Sequence, residues 1–189
     1  MGHLVISRRQ YMEMEKIGLG AFAPLTGFMN EDQFRNVVDH MRLTDGAPFP
    51  LPVVLDITGD QAKGVRPGAR LALVFDGLEV GELSVESIYG CEKESAAQKI
   101  FGTRDSNHPG VAHFFRMGQM FVGGQIRLKK RAHFEFSDDE LTPEEARAYV
   151  AERAWQTVVG FQTRNMPHGA HEYLHRLALE WADGLLIQP

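Results

Sequence analysis

Thr157-Val158-Val159-Gly160-Phe161-Gln162-Thr163-Arg164-Asn165-Met166-Pro167-His168-Gly169-Ala170-His171-Glu172 runs from an apolar segment, through a polar loop, into a helical pattern. The run Thr157–Phe161 is of the kind that forms a strand buried in a parallel sheet. Beyond the loop, Leu174, Leu177, Ala178 and Trp181 recur at helical spacing and are expected to face inward. Asp183 and Gly184 stop that helix, and Leu185–Ile187 begin a second strand. Strand, helix and strand in this order make one βαβ unit with its two strands parallel.

That crossover makes the loop a candidate site. In an open α/β sheet, ligands sit beyond the carboxyl ends of the strands, where the next helix turns its free N–H groups and positive dipole end outward. An anion is stabilised there. Arg164 adds a planar fork of donors suited to sulfate or phosphate oxygens, and Gln162 and Asn165 add neutral donors. His168 and His171, three apart at the helix start, can face one ligand. Two imidazoles donating to phosphoryl oxygens would stabilise the charge that builds during displacement. Taken singly, each of these residues has a plainer reading, Arg164 as a salt-bridge partner and either histidine as an ordinary surface residue.

A second motif overlaps the first. His171, Glu172 and His175 match the H-E-x-x-H pattern, in which two histidines bind zinc and the glutamate is general base of a peptidase. Such a site needs a third protein ligand. The extended pattern would put histidine at position 181, which is Trp181, and only Asp183 remains further on.

Upstream, Thr142, Pro143 and Glu145 form a capping box that opens a helix through about Ala154. The acidic residues between Ser137 and Leu141 interrupt the apolar pattern and mark a boundary, dividing the chain into 1–141 and 142–189. The first part is rich in strands. Leu71–Phe75 and Leu78–Ile88 flank Asp76-Gly77, a pair suited to a tight primed hairpin turn. Pro52–Ile57 and Met120–Leu128 read as further strands, with Gly123 and Gly124 suggesting a bulge or a close backbone approach. Helices are expected over Arg8–Ile17, with Tyr11, Met14 and Ile17 inward, and over Glu31–Met41, with Phe34, Val37, Val38 and Met41 inward. Two more are expected over Glu92–Phe101 and from Pro109, and Gly20–Phe28 reads as a packed turn. The class is α+β: a partly closed β domain with surrounding helices, followed by one βαβ unit.

Composition narrows the function. With 20 basic against 25 acidic residues the net charge is −5, and the basic residues are dispersed, which argues against a nucleic-acid partner or an anionic membrane. Cys91 is the single cysteine, so no internal disulfide forms, and no apolar run could span a bilayer. The expected location is the cytoplasm.

The segment from Phe161 to Glu172 resembles the Gln-Thr-Arg-Asn and His-x-x-His signature of the ATP sulfurylase (sulfate adenylyltransferase) family. The likeness extends to Ala21–Asn30, Asp56, Gly102–Asp105, His108–Gly110 and Phe121–Gly124, in the family's order. It implies a PUA-like β-barrel domain over 1–141, then the start of a Rossmann-like nucleotidyltransferase domain over 142–189. It also implies a reversible reaction in which ATP and sulfate give adenosine 5′-phosphosulfate and pyrophosphate, with magnesium (Mg2+) accompanying the nucleotide. Carried over, Gln162 and Arg164 contact sulfate, and Thr163, Arg164, Asn165, His168 and His171 are catalytic. Gln162, Thr163, Arg164, Asn165, His168 and His171 together bind nucleotide. A homo-oligomer, or the remainder of a longer catalytic domain, is the expected partner.

The chain departs from the family pattern at Gly169, where many members have arginine, and at Gln188, where histidine is common. The resemblance also leads one to expect about two hundred further residues, the size of one more domain, carrying a Gly-Arg-Asp loop that holds the nucleotide. Two strands and one helix bury little surface. Residues after about Ala154 are therefore expected to pack on the β domain, to be partly disordered, or to pair with another chain. The alternative function is a non-catalytic scaffold, regulatory or RNA-binding module of PUA-like type.

Overall fold

The computed structural model describes residues 2–188. The backbone divides into two compact units, the first ending at Ser137 and the second beginning at Asp138.

The first unit is organised by its hairpin. Asp76 and Gly77 take φ values of 49° and 74°, the left-handed geometry of a primed turn, and join β4 (Arg70–Phe75) to β5 (Leu78–Gly90). The 13-residue β5 runs on past its partner to pair antiparallel with β6 (Met120–Leu128). The other edge of β6 is shared: β3 (Leu55–Ile57) pairs with Met120–Val122, and β2 (Gly27–Phe28) pairs with Gly124 and Gln125. With β1 (Gly2–Val5) parallel to β4, the six-stranded sheet has the order β1-β4-β5-β6-β2, with β3 also on β6.

Two details correct the sequence reading. The register shift lies between Val85 and Ser87 of β5, so Glu86 carries the bulge and the glycines of β6 do not. Those glycines meet the other expectation, close approach, since a Cβ on Gly123 would lie 2.3 Å from the Asn30 Cα and one on Gly124 2.0 Å from the Ser84 carbonyl. In addition, β3 begins at Leu55 and not at Pro52, because the Val53 carbonyl accepts from the Met29 N–H at 3.0 Å, outside the β3–β6 ladder.

Capping chemistry sets the helices. α1 (Arg8–Gly18) starts at a capping box of Ser7 and Gln10 and buries Tyr11, Met14 and Ile17. α2 (Glu31–His40) starts at a capping box of Asn30 and Gln33 and buries Phe34 and Val37. It ends one residue early: Met41 takes the left-handed cap conformation and lies 63% exposed, whereas helical spacing placed it inward. α3 (Gly59–Ala62), α4 (Lys93–Phe101) and α5 (Pro109–Arg116) complete the set.

The core centres on Phe121, whose ring meets Phe34, Tyr89 and Phe114 at centroid distances of 5.6, 5.7 and 6.4 Å. A second aromatic group, Tyr11 with Phe75 and Phe134, lies beneath α1. The Tyr11 hydroxyl donates to Glu15 and accepts from the Ala132 N–H, each at 2.7 Å, and burial together with Glu15 pushes its pKa up to about 12.

The second unit contains the βαβ element. α6 (Pro143–Glu152) opens with the capping box of Thr142 and Glu145 and stops two residues short of Ala154. Trp155 lies against Gly184, where a Cβ would come within 2.2 Å of its ring, and Tyr149 meets it edge-on at 5.8 Å. β7 (Val158–Gln162), α7 (Gly169–Leu179) and β8 (Gly184–Gln188) follow. The two strands are parallel, in register from Val158↔Gly184 to Gln162↔Gln188. The expected burial is absent: Val158 and Val159 are 38% and 37% exposed, and Leu174, Leu177 and Trp181 are 49%, 41% and 83% exposed. A helical or strand pattern identifies the apolar face, but within this unit no described layer covers it.

Candidate active site

The loop after β7 is held at both ends. Thr163 is its one buried residue, and its N–H donates to the Gln188 carbonyl at 3.0 Å, prolonging the parallel ladder by a step. The Thr163 hydroxyl then accepts from the Asn165 N–H at 3.0 Å, a local turn that shapes the backbone between them. At the far end the His168 carbonyl accepts from the Glu172 N–H at 3.1 Å, the first bond of α7. The loop therefore ends at a helix start whose first N–H groups have no partner within the helix.

The two candidate histidines come together. Their rings stack at a centroid distance of 4.0 Å and an angle of 30°, and the His168 N–H donates to His171 Nδ1 at 3.4 Å. Loss of hydration, and after it the proximity of His168 and His175, holds the His171 imidazole below its ordinary pKa. Gln162 sits at the last rung of β7 opposite Gln188. Arg164 is exposed and, among the described residues, no hydrogen bond, ion pair or ring contact joins it to either histidine. Within the second unit a cavity of about 280 Å³ is lined in part by Tyr149, Trp155 and Leu186, and none of residues 162–171 lines it.

Two residues near the loop were not given their part by sequence reasoning. The ring of Phe161 meets His171 at 5.5 Å and His175 at 4.4 Å, so the end of β7 forms an aromatic wall against α7. Its place at the end of an apolar run suggested only core. Asp183, weighed as a zinc ligand, accepts instead from the N–H groups of Gln156 and Thr157 at 2.8 and 2.9 Å and from the Thr157 hydroxyl at 3.0 Å. Those bonds lower its carboxyl pKa and tie the start of β8 to the start of β7. Glu172, the base of the zinc reading, pairs with Arg176 at 2.7 Å. Among the described residues no group of three or more His, Cys, Asp or Glu is placed to hold a metal ion.

Residues 1–131 match the family model described as a PUA-like domain, and residues 138–189 match the one described as ATP-sulfurylase. The chain belongs to the PUA-like family through residues 1–131, and the rest of it is similar to ATP-sulfurylase. It is 41% identical over 184 residues to a sulfate adenylyltransferase of Thermococcus onnurineus, covering 97% of this chain and 48% of that protein. It is 39% identical over 186 residues to a sulfate adenylyltransferase of Deinococcus radiodurans, covering 98% and 48%. The chain thus spans about half the length of the curated relatives it matches. Among solved structures it is similar to a hexameric APS kinase from Thiobacillus denitrificans, with a TM-score of 0.76 and 25% identity over 99% of this chain and 34% of that one. The resemblance read from Gln162–Asn165 and His168–His171 is borne out at the level of family.

Proposed function

We propose that the chain carries part of a sulfate adenylyltransferase site, built from the loop Gln162–His171. The observation that carries this reading is the pair of stacked imidazoles at the start of α7, directly beyond the end of a parallel strand, in a chain about 40% identical to sulfate adenylyltransferases. On this reading a sulfate oxygen attacks the α-phosphorus of ATP, the bond to the bridging oxygen of the β-phosphate breaks, and pyrophosphate leaves with that electron pair. No covalent intermediate on the protein is needed. Gln162 and Arg164 hold sulfate, Thr163 and Asn165 shape the loop around it, and His168 and His171 donate to the phosphoryl oxygens as charge develops on them. Magnesium would arrive with the nucleotide as part of the substrate, since the site is built from oxyanion donors and contains no carboxylate cluster. Residues 1–141 act as the PUA-like domain, and residues 142–189 as a linker helix and the start of the catalytic domain. The assembly is a cytoplasmic homo-oligomer, supported by the hexameric neighbour.

A pyrophosphate-release assay with ATP and sulfate tests the reading, run on this chain and on one carrying the further length of its relatives. Turnover in the longer protein, abolished by Arg164→Ala with the fold intact, is the expected result. Full turnover in that variant would remove Arg164 from the site, and no turnover in either chain would favour a scaffold or regulatory module.

A further inference from the structure

We propose that His175 is a positioning residue which, through the ring of Phe161, holds His171 in its Nε2–H tautomer. The proposal deepens the reading of residues 162–171 as an oxyanion site. It starts from one hydrogen bond, the His168 backbone N–H donating to His171 Nδ1 at 3.4 Å. An N–H donor meets only an unprotonated ring nitrogen, so neutral His171 carries its proton on Nε2. Gaining a second proton would destroy the acceptor and with it the contact at the start of α7.

The ring that makes this bond is held from two sides. His168 stacks on it at 4.0 Å, and Phe161 stands against it at 5.5 Å and 65°. Phe161 is in turn braced by His175, one helical turn further on, at 4.4 Å and 84°. The Nε2 atom of His175 is buried and has no hydrogen-bond partner among the described residues. With that atom unpartnered, His175 meets its neighbours through its ring and acts as an aromatic wedge against Phe161. Other charges on this helix are engaged elsewhere, Glu172 being bonded to Arg176. A neutral imidazole with a fixed proton on Nε2 is a donor that stays in place while charge builds on a neighbouring oxygen.

Long-range proton–nitrogen NMR correlation on the whole chain reads which ring nitrogen of His171 is protonated. The proposal expects Nε2 alone in the unsubstituted chain. In His175→Leu, and separately in Phe161→Leu, the two tautomers should average and the His171 titration midpoint should rise toward the ordinary imidazole range. His175→Phe, which keeps the wedge, should restore the original pattern. A proton on Nδ1 in the unsubstituted chain, or an unchanged His171 in both leucine variants with the helical circular dichroism retained, would overturn it. Titration with inorganic sulfate separates the two ideas. If the tautomer behaves as described but sulfate leaves His168 and His171 signals unmoved, the positioning role stands and the oxyanion reading fails.

Discussion

The two units use the same kinds of apolar pattern and reach opposite outcomes. In the first, every patterned element finds a partner: α1 buries Tyr11, Met14 and Ile17, and Phe121 is enclosed by three aromatic rings. In the second, β7, α7 and β8 take their expected forms, yet no apolar side chain after Ala132 is buried among the described residues. Burial of apolar area stabilises at about 25 cal/mol per Å². Local form therefore needs only short-range chemistry, whereas a core needs a second layer. The second unit holds its shape by other means: parallel ladder bonds, the Asp183 carboxylate and the contact of Trp155 with Gly184.

The sharpest test sets Phe121→Ala against Leu177→Ala. The first should cost about 3–5 kcal/mol in urea denaturation, and the second no more than about 0.5 kcal/mol, because Leu177 already meets solvent. Equal losses would break the contrast by showing that α7 has a hidden partner. Next in size are the glycines. Gly123→Ala should destabilise by about 1–3 kcal/mol through its clash with Asn30. Gly169→Arg should be within about 0.5 kcal/mol of neutral, since a Cβ there meets nothing within 4 Å. Smaller still are the caps: Ser7→Ala and Thr142→Ala should each cost about 1 kcal/mol of helix stability. Ser7→Ala should lower the global melting temperature, because α1 is built into the core. Thr142→Ala should register only as faster amide exchange over α6, which buries nothing. The smallest effect is a pH dependence. The Asp183 carboxyl is lowered in the folded chain, so its contribution is present above the ordinary aspartate range and fades as pH falls through the lowered value. The protection factor of the Thr157 amide, taken relative to its intrinsic exchange rate at each pH, should fall on acidification, and Asp183→Asn should flatten that response.

Much of this was legible beforehand, for identifiable reasons. Asp76-Gly77 announced the hairpin because few residue pairs take positive φ twice in succession. Thr142 marks a helix start because its side chain satisfies an amide that the helix leaves free, whereas the caps at Ser7 and Asn30 emerge only in the structure. Met41 was misplaced, since spacing alone does not reveal where a left-handed cap ends the helix. Gly123 and Gly124 point to a bulge or a close backbone approach; the structure shows the close approach there, and strand pairing puts the bulge on Glu86 across the ladder. At the candidate site, His168 and His171 were legible from their spacing. The wall formed by Phe161 and His175 was not, because it joins the end of a strand to the second turn of a helix.

From its residues alone, this chain specified an α+β class, the order of its longer elements, and a pair of histidines at a helix start beyond a strand end. These follow from backbone stereochemistry and side-chain charge, which act over a few residues. Tertiary structure decided which apolar faces became core, that β2 and β3 share one edge of β6, and that Asp183 accepts from the backbone amides of Gln156 and Thr157. Those outcomes depend on groups far apart in the chain, whose meeting is set by packing and strand pairing and not by any local pattern.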